Sequence, residues 1–210
     1  MPVFDLDPNQ LYFPPAHFAG PDGFLARGGR VDARWLEYGY LNGYYVWHNP
    51  MRYPDWYSPD PRLAMETEQC QLASQEGDHV LFFDENPESF LKFMQKQVNK
   101  EPMNNFWISG MLVKAFVDLH KEDKALFMVF NDKNNKAFGY AFGAVLGLAY
   151  FGEYILSNEP KRVVATMLSI FKEYDILLSD FHKPSNQFNP EWCQPMDRIR
   201  YLELLKQYTE

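Results

Sequence analysis

Apolar and polar positions along this chain alternate with two different periods. Over 87–99 the apolar residues Phe90, Leu91, Met94 and Val98 recur at three- and four-residue spacing, and Asn86-Pro87 marks a start, so the pattern predicts a one-sided helix. Ser109 is placed to open a second helix, with Leu112, Ala115, Phe116 and Leu119 turned inward. The pattern then changes. "ALFMVFN" (125–131), a polar turn "DKNN", "AFGYAFGAVL" (137–146) and "LAYFGEYIL" (148–156) read as three successive strands. A helix follows from Pro160 to about Tyr174, then a buried strand "ILLSD" (176–180) and a last helix over about 197–208. Helix, three strands, helix, strand, helix predicts an α+β layer arrangement.

The N-terminal third is different in texture, rich in Gly, Pro and aromatic residues. It carries one clear helix near 32–42, which Asp32 can cap and Gly43 can end. After it comes "PDWYSPDPRL" (54–63), in which Ser58 and Asp60 both precede a proline. Proline lacks an N–H and biases its predecessor toward extended geometry. The expectation is a fixed irregular loop, with neither a helix nor a central strand through it. The segment 66–79 is polar, and no internal repeat is present. This organisation suggests a small N-terminal α+β domain over 1–63 and a larger domain over 64–210.

Composition narrows the class. The 210 residues are 46% hydrophobic and 17% aromatic, enough to build a substantial core. Cys70 and Cys193 form no C-x-x-C pair, which points to a reducing, cytoplasmic setting. The start "MPVFDLDPNQ" has acids where a signal peptide carries bases, and the longest apolar stretch (140–152) is too short and glycine-rich to span a bilayer. The chain reads as soluble. A formal net charge of −8 argues against gripping nucleic acid by bulk charge. Lys92, Lys96 and Lys100 form a basic stripe that serves equally as a solvated helix face.

The chemistry is sparse. His17, His48, His79, His120 and His182 show no metal-ligand spacing, and no G-x-S-x-G elbow is present. The segment "LSNEPKRVV" before the central helix has no glycine to form a phosphate nest, although Lys161 and Arg162 lie there. That disfavours an acyl-CoA enzyme. Two carboxylates remain at strand ends. Glu153 follows Gly152, which permits close approach, and Asp180 closes an apolar strand with His182 two residues on. In extended chain Asp180 and His182 face one space, where they would position or deprotonate an attacking amine; a loop cap or an Arg partner explains Asp180 equally well. Trp47, Trp56 and Trp107 lie at loop edges, suited either to stacking on a planar ligand or to plugging the core.

Together these segments resemble one family, the leucyl/phenylalanyl-tRNA–protein transferases. "FPP" (13–15), "PDGFLARGG" (21–29), "GYLNGYYVW" (39–47) and "WYSPDPR" (56–62) follow that family's N-terminal pattern, whose proline loop usually reads W-W-S-P-D-P-R. "FWI" (106–108), "LH" (119–120), "FGEYILS" (151–157) and "LLSDFH" (177–182) match its later segments, so the resemblance covers about 11–205.

The resemblance implies an acetyltransferase-like mixed sheet flanked by helices, and a monomer without cofactor or metal. It implies transfer of Leu, Phe or sometimes Met from aminoacyl-tRNA to the N-terminal amine of proteins beginning with Arg or Lys, marking them for degradation. Carried onto this sequence, Trp47 and Trp107 hold the terminal adenosine, Glu153 and Asp180 form the polar centre with His182, and Tyr150, Ile155 and Ile170 line the side-chain pocket. Trp56, Asp60 and Arg62 belong to the structural loop. The chain also departs from the pattern. Where the family's L-I-D-C-Q segment has Gln, this chain has His182, and Asn42 replaces the Arg before G-I-F-P-W. Arg162, Val163 and Val164 stand for A-S-K, "FNPEWCQ" replaces H-x-x-S-L-G-A, and the basic cluster after the proline loop is missing. Two alternatives therefore stay open: a transferase of the same fold using another aminoacyl or acyl donor with a small-amine or peptide acceptor, and a non-catalytic binding relative.

Overall fold

The helices begin where a side chain or a proline satisfies the free N–H groups of a first turn. In the computed structural model of the chain, which describes residues 3–47, 53–98, 108–183, 189, 191–192 and 194–210, Asp32 accepts from Trp35 N and starts Ala33–Leu41 (α1). Gly43, at φ +80°, takes the left-handed turn that ends it. Asn86 accepts from Ser89 N ahead of Pro87–Val98 (α2), and Ser109 accepts from Leu112 N ahead of Gly110–His120 (α3). Pro160 opens Pro160–Glu173 (α4), and Asp197 caps Arg198–Thr209 (α5).

Two mixed sheets complete the α+β fold that the element order predicts. Phe4–Leu6 (β1), Phe24–Gly28 (β2), Tyr45–Trp47 (β3) and Asp55–Tyr57 (β4) form the first, in the order β1-β2-β4-β3. Ala64–Glu66 (β5), His79–Phe82 (β6), Ala125–Asn131 (β7), Ala137–Leu146 (β8), Ala149–Leu156 (β9) and Leu178–Asp180 (β10) form the second, in the order β5-β10-β9-β8-β7-β6. One expectation fails here. The proline segment does hold a central strand, since β4 pairs with both β2 and β3. Three residues fit between Pro54 and Ser58, so the prolines bound the strand without interrupting it.

Two features of the second sheet shape the site. β10 runs parallel to β9 but pairs with it only from Ala149 to Phe151. Beyond Phe151 and Asp180 the two strands part, and β9 continues alone on that edge to Leu156. Second, β8 pairs Phe142 with Tyr154 and Gly143 with Gly152, leaving Glu153 as the extra residue of a β-bulge. The bulge reverses the alternation of faces. Ala149 and Phe151, then Tyr154 and Leu156, pack into the cluster that includes α1, α3 and α5, whereas Tyr150 and Ile155 face α4. Glu153 is the residue at which the phase slips.

The first of these clusters runs from Leu6, Trp35 and Trp56 through Phe116, Phe142 and Phe151 to Leu205, so one continuous core joins both sheets. No helix among the described residues is long and apolar enough to cross a membrane.

Candidate active site

Asp180 ends β10 with no exposed surface, and a buried carboxylate requires partners. Arg62, equally buried, supplies them as a fork: Nε donates to Oδ1 at 2.9 Å and Nη2 to Oδ2 at 2.6 Å. Tyr201 of α5 donates its hydroxyl to Oδ2 at 2.7 Å, and the backbone N–H of His182 donates to Oδ1 at 2.8 Å. Arg62 Nη1 also donates to Gly43 O at 3.2 Å, and its guanidinium lies 4.7 Å from the Tyr201 ring centre. Burial opposes ionisation of Asp180, yet Arg62 and then His182 outweigh it and hold the carboxyl well below the usual range. Burial likewise opposes the charge of Arg62, and Asp180 overrides it and raises that pKa.

Glu153, on the bulge, meets this group from the other side. Its Oε1 accepts from the Tyr40 hydroxyl of α1 and lies 3.1 Å from His182 Nε2. His182 links the two carboxylates: its Nδ1 is 3.2 Å from Arg62 Nη2 and 3.6 Å from Asp180 Oδ2. Because Arg62 can only donate, the neutral ring accepts at Nδ1 and donates from Nε2 to Glu153. Burial works against the imidazolium, but Asp180, by charge and hydrogen bond, and Glu153 prevail and raise the His182 pKa above 6.5. Burial drives the phenols of Tyr40 and Tyr201 far above the usual range, so both remain donors.

The geometry of His182 differs from the extended chain assumed for it. The strand stops at Asp180, and His182 takes φ +65°, which turns its ring back over the carboxylates. Aromatic rings fix it there. The Tyr45 ring stacks on it at 4.4 Å and 11°, and Tyr57 stacks on Tyr45 at 5.6 Å and 23°. The β3–β4 register sets Tyr45 opposite Tyr57 and puts Trp47 two residues along the same face. Lys183 places its ammonium 5.3 Å from the ring centres of both Trp47 and Tyr57. A buried ionic centre thus lies beneath an aromatic shelf, and the His182 side chain, 8% exposed, is its contact with the surface.

The sequence-predicted residues divide accordingly. Glu153, Asp180 and His182 come together, and Trp47 stands at the rim. Trp107, with His48 and Cys193, lies outside the described residues. Tyr150, Ile155 and Ile170 share one apolar cluster on the α4 face, with Tyr150 packed 4.7 Å from the Phe171 ring centre. Gly152 serves packing, because a Cβ there would lie 3.0 Å from both Phe181 and Tyr150. Trp56 is a core residue with its Nε1 donating to Gly28 O at 3.0 Å, and Asp60 accepts from Arg198 N at 3.1 Å at the start of α5. Arg162 is committed to Asp78 through two bonds of 2.8 and 2.7 Å. Sequence reasoning missed Tyr40, Tyr45, Tyr201 and Lys183. A usable signal existed for Arg62: an aspartate closing an apolar strand calls for a fixed cation.

No family model matches the chain. Curated relatives do, and they carry one description. A leucyl/phenylalanyl-tRNA–protein transferase of Flavobacterium johnsoniae is 26% identical over 94% of this chain and 97% of the relative. Another of Pseudomonas syringae pv. syringae is 26% identical over 98% of this chain and 93% of its own length. A third, of Anaeromyxobacter sp. (strain K), is 30% identical over 76% of this chain and 70% of the relative.

Proposed function

The chain belongs to the leucyl/phenylalanyl-tRNA–protein transferase family, an aminoacyltransferase family, and from that we propose that it moves Leu, Phe or Met from aminoacyl-tRNA to a protein N-terminal Arg or Lys. The observation that carries the reading is the Glu153–His182–Asp180–Arg62 centre under the Tyr45–Tyr57–Trp47 shelf. Trp47, with Trp107, stacks on the 3′-terminal adenosine. The amino-acid side chain is assigned to the apolar residues Tyr150, Ile155 and Ile170, and an apolar environment separates Leu, Phe and Met only modestly.

The ester that joins amino acid to tRNA is already activated, so positioning and proton management suffice. The acceptor nitrogen attacks the ester carbonyl carbon and forms the amide C–N bond. The C–O bond to the ribose breaks, and the proton lost by nitrogen ends on the ribose oxygen. Glu153 relays that proton, and His182, bonded through its two ring nitrogens to Glu153 and Arg62, holds the carboxylate in place. Residues 1–63 contribute the shelf and Arg62; residues 64–210 contribute both carboxylates.

The test is a peptide beginning with Arg or Lys, incubated with bulk aminoacylated tRNA and followed by mass spectrometry. The expected result is a mass gain of Leu, Phe or Met. Glu153→Gln, with circular dichroism confirming a folded protein, should slow transfer by about 10²-fold, the scale of a lost acid–base group. If no charged tRNA modifies the peptide while the protein is folded, the reading is wrong.

A further inference from the structure

The face of the N-terminal sheet that covers the ionic centre is a row of rings. Strand pairing sets Tyr57 between Phe24 and Tyr45, and Trp47 lies two residues along from Tyr45. The Phe24 and Tyr57 ring centres are 5.5 Å apart, those of Tyr45 and Tyr57 5.6 Å. Tyr45 is buried, but Phe24, Trp47 and Tyr57 each keep part of their surface open.

The two cations on this face differ. Arg27 is committed to Asp55, with its Nε at 2.7 Å from the carboxylate, and its guanidinium carbon lies 5.7 Å from the Phe24 ring centre. Lys183 has no ion pair among the described residues. Its ammonium rests 5.3 Å from the ring centres of both Trp47 and Tyr57, and ring faces leave its charge unneutralised. The rest of the chain offers an RNA donor little attraction. Its formal net charge is −8, and the basic cluster that the family carries after the proline loop is missing. Rings with a cation among them make a platform for single-stranded nucleic acid, in which the rings stack on bases and the cation meets the backbone.

We propose that Lys183 binds the phosphodiester that joins the terminal adenosine of the donor to the nucleotide before it. This rests on the aminoacyl-transfer reading above, which puts that adenosine on Trp47. Lys183 is as near to Tyr57 as to Trp47, so it stands where the backbone passes from one ring to the next. Its flexible four-carbon stem lets the ammonium turn to the phosphate as a base takes the ring face. Lys183 takes no part in the bonds made and broken. It supplies affinity that this chain does not draw from the missing cluster.

Two small donors isolate the phosphate: 3′-O-phenylalanyl adenosine, which has none, and the 3′-O-phenylalanyl trinucleotide CpCpA. With an Arg-initiated peptide the parent should favour the trinucleotide by about 10-fold in kcat/KM, the scale of one hydrogen bond to a charged group. Lys183→Met, with circular dichroism confirming its fold, should lose most of that preference through KM rather than kcat, and Lys183→Arg should restore it. The slope of log KM against log salt should flatten by about 0.7 in Lys183→Met, the value for one single-strand phosphate contact. The same flattening is expected with full Phe-tRNA, which decides the matter if the small donors are used too weakly to measure. A parent indifferent to the phosphate, or a Lys183→Met variant that keeps both preference and slope, overturns the assignment. So does a Lys183→Met variant whose only loss is transfer to an Asp-initiated peptide, because the anion would then belong to the acceptor. If the parent transfers from neither small donor nor from charged tRNA, the aminoacyl-transfer reading falls and takes the assignment with it.

Discussion

At the residue scale the Asp180–Arg62 pair does more than either sequence expectation gave it. Arg62 was expected as a brace of the proline loop and Asp180 as part of the polar centre, 118 positions away. Paired, they do both. Removing one member leaves the other charged and buried, which typically costs about 3–5 kcal/mol. Asp180→Ala should therefore lower the unfolding midpoint strongly, and lost transfer in that variant would not by itself identify a catalytic role. The pH dependence has a definite sign. Asp180 has its folded pKa depressed below 3.8, so its contribution is full above that value and is lost as pH falls below it. His182 is opposite: its folded pKa is raised above 6.5, so its contribution is full below that pH and fades as pH rises through the folded value. Urea midpoints from pH 5 to 9 (roughly the range over which a histidine titrates) should show this. The advantage of the parent over His182→Gln should be largest at the acidic end and shrink toward the alkaline end. Glu153, Tyr40, Tyr45, Tyr201 and Arg62 surround the ring, and the phenols stay neutral across that range.

At the scale of elements, legibility followed length. β7, β8 and β9, at seven to ten residues, and the capped helices carry enough positions for a period to show. Asp32 and Ser109 cap as their chemistry requires. β1, β3, β4, β5 and β10 have three residues each, too few for any period, and they exist because neighbouring strands supply their hydrogen bonds. The bulge at Glu153 was equally hidden, since one extra residue leaves no compositional trace in "YFGEYIL". Its support can be tested at Gly143, where a Cβ would lie 2.2 Å from Phe151 O and 2.7 Å from the Tyr150 ring. The backbone oxygen cannot give way cheaply. Gly143→Ala should destabilise by about 1–3 kcal/mol and misplace Glu153, so transfer falls with stability. Gly110→Ala is the control. It opens α3 with nothing within 4 Å, and it should leave stability equal or up to about 1 kcal/mol higher, with transfer unchanged.

Across the whole molecule, α5 is the tie between the two sheets and the site. Tyr201 bonds Asp180, Arg198 donates to Ser58 O at 2.8 Å, and Tyr208 donates to Glu66 at 3.0 Å. Leu148 N donates to Tyr208 O at 2.7 Å just before β9 begins. The same helix also packs against the turn at Gly43, where a Cβ would meet Leu202 at 2.5 Å. A division at residue 63 would have to cut through this clamp and through the buried core that includes Trp56, Phe151 and Leu205. The two stretches should therefore unfold together. Three of the five tryptophans, Trp35, Trp47 and Trp56, lie in or against the N-terminal sheet and weight the fluorescence toward it, whereas far-ultraviolet dichroism reports on the helices of the whole chain. In urea the two signals should trace one coincident transition with a shared midpoint. Tyr201→Phe deletes one bond to a buried carboxylate and should shift both midpoints down by the same amount, about 1.5–3 kcal/mol in stability. A fluorescence transition that moved ahead of the dichroism would show instead that the N-terminal sheet holds its fold independently of α5.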